Sequence, residues 1–245
     1  MEERRGEGRR GRRMRWFMML VLAAALATAA MLWTGRITIP PAYDPWAPLD
    51  IRAEPNLLTG FKLSRLERDR AQCLTVLGGS GLRFTPIPDR TSETGCPLEG
   101  TVRVTRSAGL EFSSAFAATC AVGAAWSLFE RHALQPAARK HFGRPIARVV
   151  HLGSYACRNI YSRANARRSE HATANALDIA AFILDDGTRI SVAGDWNGGP
   201  PEKQAFLREA QQGACRFFDV VLGPDYNEAH RDHFHLDMGS FSSCR

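Results

Sequence analysis

The chain has 245 residues, of which 44% are hydrophobic and 23% charged, and its formal net charge is +7. This length fits one large domain or two small ones, and the hydrophobic fraction excludes a chain that is disordered throughout. Residues 1–15 contain seven arginines and three glutamates, a net charge of +4, so the remaining 230 residues carry only +3. A basic nucleic-acid-binding body is therefore not predicted, and no nucleic-acid partner is expected.

The first predicted element is an almost wholly apolar stretch, residues 16–33, directly after the arginine-rich start. Basic residues before an apolar run indicate a signal-anchor helix or a signal peptide. The 18 residues match the short end of a bilayer span, which needs about 17–25. We favour an uncleaved anchor in the inner membrane; cleavage after an Ala-x-Ala site at Ala27 and Ala29, or a buried helix, is the alternative. Because positive charge stays on the cytoplasmic side, the rest of the chain is predicted to be periplasmic.

A proline-rich segment follows, with four prolines in residues 37–48. Such a composition predicts a stiff, extended linker. We therefore divide the chain into a cytoplasmic basic tail with the signal-anchor or signal peptide (residues 1–36), a linker (residues 37–56) and one domain (residues 57–245).

The pattern of this domain predicts an α+β fold, with helices packed on a small antiparallel sheet. Helices are expected over residues 57–77, 114–134 and 201–212, and the alanine-rich middle one has the strongest helical composition. Residues 83–90 are expected to be extended, at a sheet edge or in a loop because of Pro86 and Pro88. Strands are expected over residues 102–104, 147–152, 176–184, 189–192, 217–222 and 233–237, with an Asp-Asp-Gly turn joining the third to the fourth.

Six cysteines are widely spaced, and none forms a Cys-x-x-Cys pair, so a four-thiolate zinc site has no support. An even number behind an export signal predicts up to three disulfides, with buried free thiols as the alternative. Proximity in the sequence suggests the pairs Cys73–Cys96 and Cys215–Cys244.

Histidine is concentrated near the carboxyl end, at His230, His233 and His235. Strand alternation sends His233 and His235 to the same face, directly after Asp232. His230 is expected to lie at the surface or to support one of the other histidines.

A second cluster contains His171 and, seven residues later, Asp178 between apolar neighbours. A buried carboxylate needs a metal ion or an ion pair, so Asp178 binds a metal or pairs with Arg167 or Arg168. His171, Asp178 and one histidine of the His-Phe-His pair would make a catalytic zinc site with an open fourth position. Zinc lowers the pKa of its bound water to about 7, and Asp232 is placed to take the proton. Taken alone, His171 also fits an ordinary loop histidine.

These motifs resemble two related groups of proteins. Segments from about residue 60 to 237, including GLRFTPIPDR, GSYACRN, SEHATANALDI and VLGPDYNEAHRDHFHLDM, resemble the bacterial extensin-like carboxy-terminal domain family. The Ser-x-His…Asp and acid-x-x-His patterns are similar to those of zinc D-alanyl-D-alanine peptidases and peptidoglycan endopeptidases.

The second resemblance implies one zinc ion per chain held by His171, Asp178 and His235, on a fold like that of these peptidases. It also implies Asp232 as general base, His233 as a stabiliser of the tetrahedral intermediate, and Arg158 as the residue that holds an oxyanion or a substrate carboxylate. One departure is Ala174, where these peptidases usually have glycine.

We therefore expect a periplasmic zinc metallopeptidase of the D,D-carboxypeptidase or endopeptidase type, with peptidoglycan peptides as substrate. The alternative is a non-catalytic cell-envelope binding module that retains the zinc site or has lost it.

Overall fold

The structure, a computed structural model, describes residues 3–245, with side chains from Arg12 onward. It divides into a first unit that ends at Asp44 and a second unit, Pro45–Arg245. The first unit consists of α1 (Glu3–Trp33) and a 3-10 turn at Pro41–Tyr43. Within α1, Arg12–Trp33 is long and apolar enough to cross a membrane, a property that membrane anchors share with signal sequences.

The second unit begins earlier than the predicted domain. Leu49 and Ile51, which were assigned to the linker, are buried with the core of this unit. The structured domain therefore includes residues 45–56, because the prolines there are interspersed with apolar side chains that pack inward.

The first predicted helix of this unit differs from the prediction. The region expected as one helix over residues 57–77 is two helices, and Asp69 caps the second by accepting a hydrogen bond from the backbone N–H of Gln72 at 2.9 Å. A π-helical turn, Glu130–Leu134, joins α4 and α5 into one helical segment. The helices are α2 (Thr59–Leu66), α3 (Arg70–Ser80), α4 (Cys120–Phe129), α5 (Gln135–Phe142), α6 (Val192–Asp195) and α7 (Pro201–Ala214).

In the described part of the chain, nine strands form one mixed sheet. They are β1 (Arg83–Pro86), β2 (Thr101–Arg106), β3 (Glu111–Thr119), β4 (Ile146–Gly153), β5 (Ala176–Leu184), β6 (Arg189–Ser191), β7 (Val220–Leu222), β8 (Phe234–Asp237) and β9 (Ser243–Cys244). The order is β1-β2-β3-β4-β5-β8-β7-β9, with β6 paired to β5. The β3–β4 and β7–β9 pairs are parallel and the others antiparallel. The α+β class is confirmed, and the expected small antiparallel sheet is corrected to a larger mixed one.

The predicted helix over residues 114–134 is wrong at its start, because residues 114–119 belong to β3. Phe112, Phe116 and Ala118 are buried, an even-numbered spacing that places them on one face of a strand. Thr119 then starts α4 by accepting a hydrogen bond from the backbone N–H of Val122. All ten residues of α4 are buried, so this helix forms the centre of the core.

All six cysteines form disulfides, which confirms the oxidised state expected from the sequence. The pair Cys215–Cys244 is confirmed, whereas Cys73–Cys96 is wrong. Cys73 in α3 bonds Cys120 at the start of α4, and Cys96 bonds Cys157. The error arises because α3 packs against α4, which brings together cysteines 47 residues apart in sequence.

Candidate metal centre

The candidate centre lies where a short 3-10 helix, Glu170–Thr173, leads into β5. The Ser169 side chain caps this helix, which places His171 in its first turn. Ala174 then turns the chain with a φ of 55°, a left-handed conformation that costs a non-glycine residue about 1–2 kcal/mol. This turn directs the chain into the strand that carries Asp178.

The register of β5 with β8 brings Asp178 and His235 together. Asp178 in β5 lies directly opposite His235 in β8 and opposite Gly153 in β4. Residues opposite each other in a ladder project from the same face of the sheet. The side chains of Asp178 and His235 therefore meet on the face where His171 approaches from its loop.

One ligand atom from each of His171, Asp178 and His235 lies within 4.8 Å of the other two. His171 Nε2 is 3.1 Å from His235 Nδ1 and 3.2 Å from Asp178 Oδ2, and His235 Nδ1 is 2.9 Å from Asp178 Oδ1. These are the three residues that the resemblance implied as metal ligands. The group could hold a metal ion.

Hydrogen bonds on the outer side of the two imidazoles determine which nitrogen atoms face inward. His171 donates from Nδ1 to the Ser154 carbonyl oxygen at 3.2 Å, and His235 donates from Nε2 to Asp237 Oδ2 at 2.8 Å. Asp237 is itself held by the backbone N–H of Gly239 at 2.8 Å. Ligating histidines usually make such contacts with their second nitrogen, so the arrangement favours His171 Nε2 and His235 Nδ1 as ligand atoms.

The pKa values of Asp178 and His235 are shifted strongly by the charged groups around them. Burial raises the pKa of Asp178, but hydrogen bonds from His171 and His235 outweigh burial and hold the pKa of this carboxyl well below its usual value. Burial lowers the pKa of His235, but the carboxylates of Asp178 and Asp237 outweigh it and raise the pKa to about 9. Without a metal, a proton on His235 therefore balances the buried negative charge.

The donor set fits a small divalent cation. Two imidazole nitrogens and a carboxylate oxygen are the ligands of many catalytic zinc sites, in which bond lengths near 2.0–2.2 Å imply ligand separations of about 3.3 Å. The observed separations of 2.9–3.2 Å are slightly shorter. A modest outward movement of the side chains would make room for an ion, which would replace the proton as the balancing charge.

The group lines a cavity of about 320 Å³ that is open to solvent. Its walls combine polar groups with the aromatic rings of Tyr161, Tyr226 and Phe241. A mostly preformed cavity with a few convergent polar groups is typical of a small-molecule or peptide site.

The other predicted site residues occupy different positions around this cavity. Arg158 and His233 line it. His233 Nε2 is 3.6 Å from Asp178 Oδ1, and its Nδ1 donates to Asp232 Oδ1 at 2.8 Å. The half-exposed Asp232 is thus behind His233 and reaches the group through it. Neither Arg167 nor Arg168 forms an ion pair with Asp178 within the described residues, so that alternative reading of Asp178 is not realised.

His230 was expected at the surface or as a supporting residue, but it is 9% exposed and lines the cavity. Its Nδ1 contacts Asn227 Oδ1 at 2.7 Å, and its ring centroid lies 5.4 Å from that of His233. Burial, and then the charges of His235 and His233, lower the pKa of His230 to about 4. His230 therefore contributes a neutral imidazole to the cavity wall at neutral pH.

Two supporting groups were not anticipated. Asp237 follows His235 by two residues, and the His-x-Asp spacing of a strand was a usable signal for it. The Ser154 carbonyl has no such signal, because a backbone group can be placed only once the loop after β4 is known.

The fold and site together define an α+β domain with a candidate metal centre in a surface cavity. The family model described as the C-terminus of extensin-like proteins matches residues 71–245, and the chain belongs to this family. No curated protein and no solved structure gives a significant match.

Proposed function

We propose that the chain is a zinc-dependent peptidase of the cell envelope that hydrolyses amide bonds in peptidoglycan peptides. The observation that supports this proposal is the grouping of His171, Asp178 and His235 within 4.8 Å at the wall of an open cavity. Zinc is the proposed ion because two nitrogens, one oxygen and an open position are its usual catalytic environment. The resemblance to zinc D-alanyl-D-alanine peptidases suggests the substrate.

When bound, zinc would act as a Lewis acid and make a coordinated water acidic near neutral pH. His233 is the proposed proton acceptor, because its Nδ1–H donates to Asp232 and leaves the Nε2 lone pair toward the centre. The hydrogen bond from His233 lowers the pKa of Asp232, so this carboxylate stays charged and orients the imidazole. This assignment moves the general base from Asp232, the expectation from the sequence, to His233.

Arg158 is proposed to stabilise the oxyanion that develops on the amide carbonyl, or to hold a substrate carboxylate. Its guanidinium lines the cavity and has no ion pair in the part of the chain that the structure describes. Planar guanidinium groups bind carboxylates and oxyanions through two parallel hydrogen bonds.

The proposed location is the periplasmic side of the inner membrane. The apolar helix Arg12–Trp33 supplies an anchor or a signal, and three disulfides are typical of proteins that fold in an oxidising compartment. In either case the peptidase domain would act on the wall.

The test is metal analysis of the full-length protein in detergent, followed by mass spectrometry of defined muropeptides after incubation. One zinc per chain together with cleavage supports the proposal. Zinc without cleavage would indicate a non-catalytic envelope module instead, and a protein that takes up no zinc contradicts the zinc-dependent mechanism.

The His233→Ala variant tests the proton acceptor. It should lower kcat by about 10²–10⁴-fold, the usual contribution of a general base, while the zinc content stays at one per chain. The control is Asp186→Asn in the β5–β6 turn, where an amide can still accept the hydrogen bond from the Thr188 N–H. Full turnover by His233→Ala would show that this histidine is not the base.

A further inference from the structure

One wall of the cavity is a short two-stranded ribbon formed by residues 158–160 and 167–169. The backbone N–H of Ile160 donates to the Arg167 carbonyl at 3.0 Å, and that of Ser169 donates to the Arg158 carbonyl at 3.2 Å. Asn159 and Arg168 form the antiparallel bridge between them. Because side chains alternate along extended strands, the ribbon has two distinct faces.

The face directed away from the cavity is occupied by structural contacts. Arg168 donates to Asn159 Oδ1 at 2.8 Å and also to the Thr94 carbonyl oxygen. Beside it, the disulfide Cys96–Cys157 joins the Thr94 loop to the residue that precedes Arg158. These contacts hold the ribbon in place from behind.

The other face presents Arg158, Ile160, Arg167 and Ser169 to the cavity. Among the described residues, neither Arg158 nor Arg167 lies within ion-pair distance of a carboxylate. The Arg167 guanidinium stacks on Phe241, with its central carbon 4.4 Å from the ring centroid. Stacking of this kind orients a guanidinium and leaves its N–H groups available at the edge.

The carboxylates that line the same cavity are already engaged. Asp178 contacts His171 and His235, Asp237 contacts His235, and Glu170 accepts a hydrogen bond from the Asn175 amide at 2.9 Å. Glu170 keeps its negative charge, because its partner is a neutral amide, but its carboxylate is held at Asn175, and within the described residues the two arginines have no carboxylate at ion-pair distance. A ligand that completes the wall would carry negative charge.

We infer that the substrate is an acidic peptide with at least two carboxylates, one held by Arg158 and the other by Arg167, and that Arg167 determines this specificity. The inference rests on the proposed peptidase function and adds the charge of the substrate to it. Both arginines are exposed, so a long peptide can reach them and the attraction is weakened by salt.

The experiment compares two synthetic peptides that share a sequence and a scissile amide. One carries free carboxylates on both sides of that amide, and the second has a carboxamide on the side distant from Arg158. Loss of a hydrogen-bonded charge pair should raise KM for the amidated peptide about tenfold, with kcat little changed. In the Arg167→Gln variant the two peptides should have the same KM, whereas Arg167→Lys should retain part of the difference.

The matched control is Arg163→Gln. Arg163 belongs to the same basic loop, but its guanidinium lies over Tyr161 and it does not line the cavity, so the tenfold preference should persist. A wild-type protein that cleaves both peptides equally well overturns the inference while leaving the peptidase proposal intact.

Equilibrium binding separates the two proposals. If the wild-type protein cleaves neither peptide, the peptidase proposal fails, and calorimetric titration of the same two peptides still tests the arginine wall. Tighter binding of the acidic peptide by the wild type than by Arg167→Gln supports the inference; equal binding of both peptides by the wild type refutes it.

Discussion

The contact between His235 and Asp237 makes a quantitative prediction about metal affinity. The two side chains share a hydrogen bond of 2.8 Å, and Asp237 Oδ1 also accepts the Gly239 N–H. The Asp237→Asn substitution replaces one of the two accepting oxygens with an NH2 group. Either the Gly239 N–H or His235 Nε2 then faces this amide N–H instead of an oxygen. Loss of the anionic partner weakens His235 Nδ1 as a ligand and favours the tautomer with a proton on that nitrogen.

Removing such a partner commonly lowers metal affinity about 10–100-fold, which corresponds to about 1.4–2.8 kcal/mol. Zinc affinity would be measured by competition with a chromogenic chelator at pH 7.5, using the full-length protein in detergent. The control is Asp219→Asn, because this neighbouring carboxyl has no hydrogen bond or ion pair to a histidine within the described residues and should leave the affinity unchanged. Zinc affinity of Asp237→Asn within threefold of wild type would refute the role assigned to this carboxylate.

Two further predictions concern the core. Burial raises the pKa of Glu130 above 4.5, outweighing the hydrogen bonds from Ser107 and Gly109. The folded pKa exceeds the unfolded one, so the stabilising contribution of this carboxyl is complete below about pH 4.5 and is lost as the pH rises through the folded pKa. Glu130→Gln should therefore gain stability relative to wild type between pH 4 and pH 8, as measured by urea unfolding; a constant difference across this range contradicts the raised pKa. In α7, a Cβ added at Gly213 would lie 2.6 Å from the Ala133 Cβ. Gly213→Ala should lower the unfolding free energy by about 1–3 kcal/mol despite its better helix propensity, and Ala133→Gly in the same chain should recover part of the loss; unchanged stability of the single variant would show that the two helical segments separate easily.

The candidate ligand group could be proposed from the sequence because the spacing of His171 and Asp178 follows from local structure. The six residues between His171 and Asp178 contain the end of a 3-10 turn, one left-handed residue and the start of a strand, so both side chains return to the same place. His235 required the strand partner of Asp178, which periodicity does not reveal. The resemblance supplied it, and the register of β5 with β8 now accounts for it.

It was harder to predict from the sequence which side chains line the cavity and which lie behind it. Asp232 and His233 are adjacent in sequence, and only the three-dimensional structure distinguishes the residue that lines the cavity from the one behind it. For His230 the sequence left open a surface position and a supporting role, since its burial depends on the loop between β7 and β8 and on Tyr226 packing against its ring.

The helix predicted over residues 114–119 was wrong because the composition of this segment is compatible with both a helix and a strand. The segment that forms β3 contains Ala115, Ala117 and Ala118, which are common in helices, and its pairing with β2 and β4 overrides that propensity. The disulfide Cys73–Cys120 was missed because helix packing, not sequence distance, brings its two sulfurs together.

The disulfide Cys96–Cys157 makes the stability of the arginine-bearing cavity wall depend on the redox state of the compartment in which the chain folds. It holds the ribbon that carries both wall arginines, and cytoplasmic thiols are kept reduced. A newly made chain on the cytoplasmic side would therefore lack the covalent support of that wall. On the proposed export route, the wall would be secured only after the chain reaches an oxidising compartment, so the proposed binding surface would be completed away from the site of synthesis and after it.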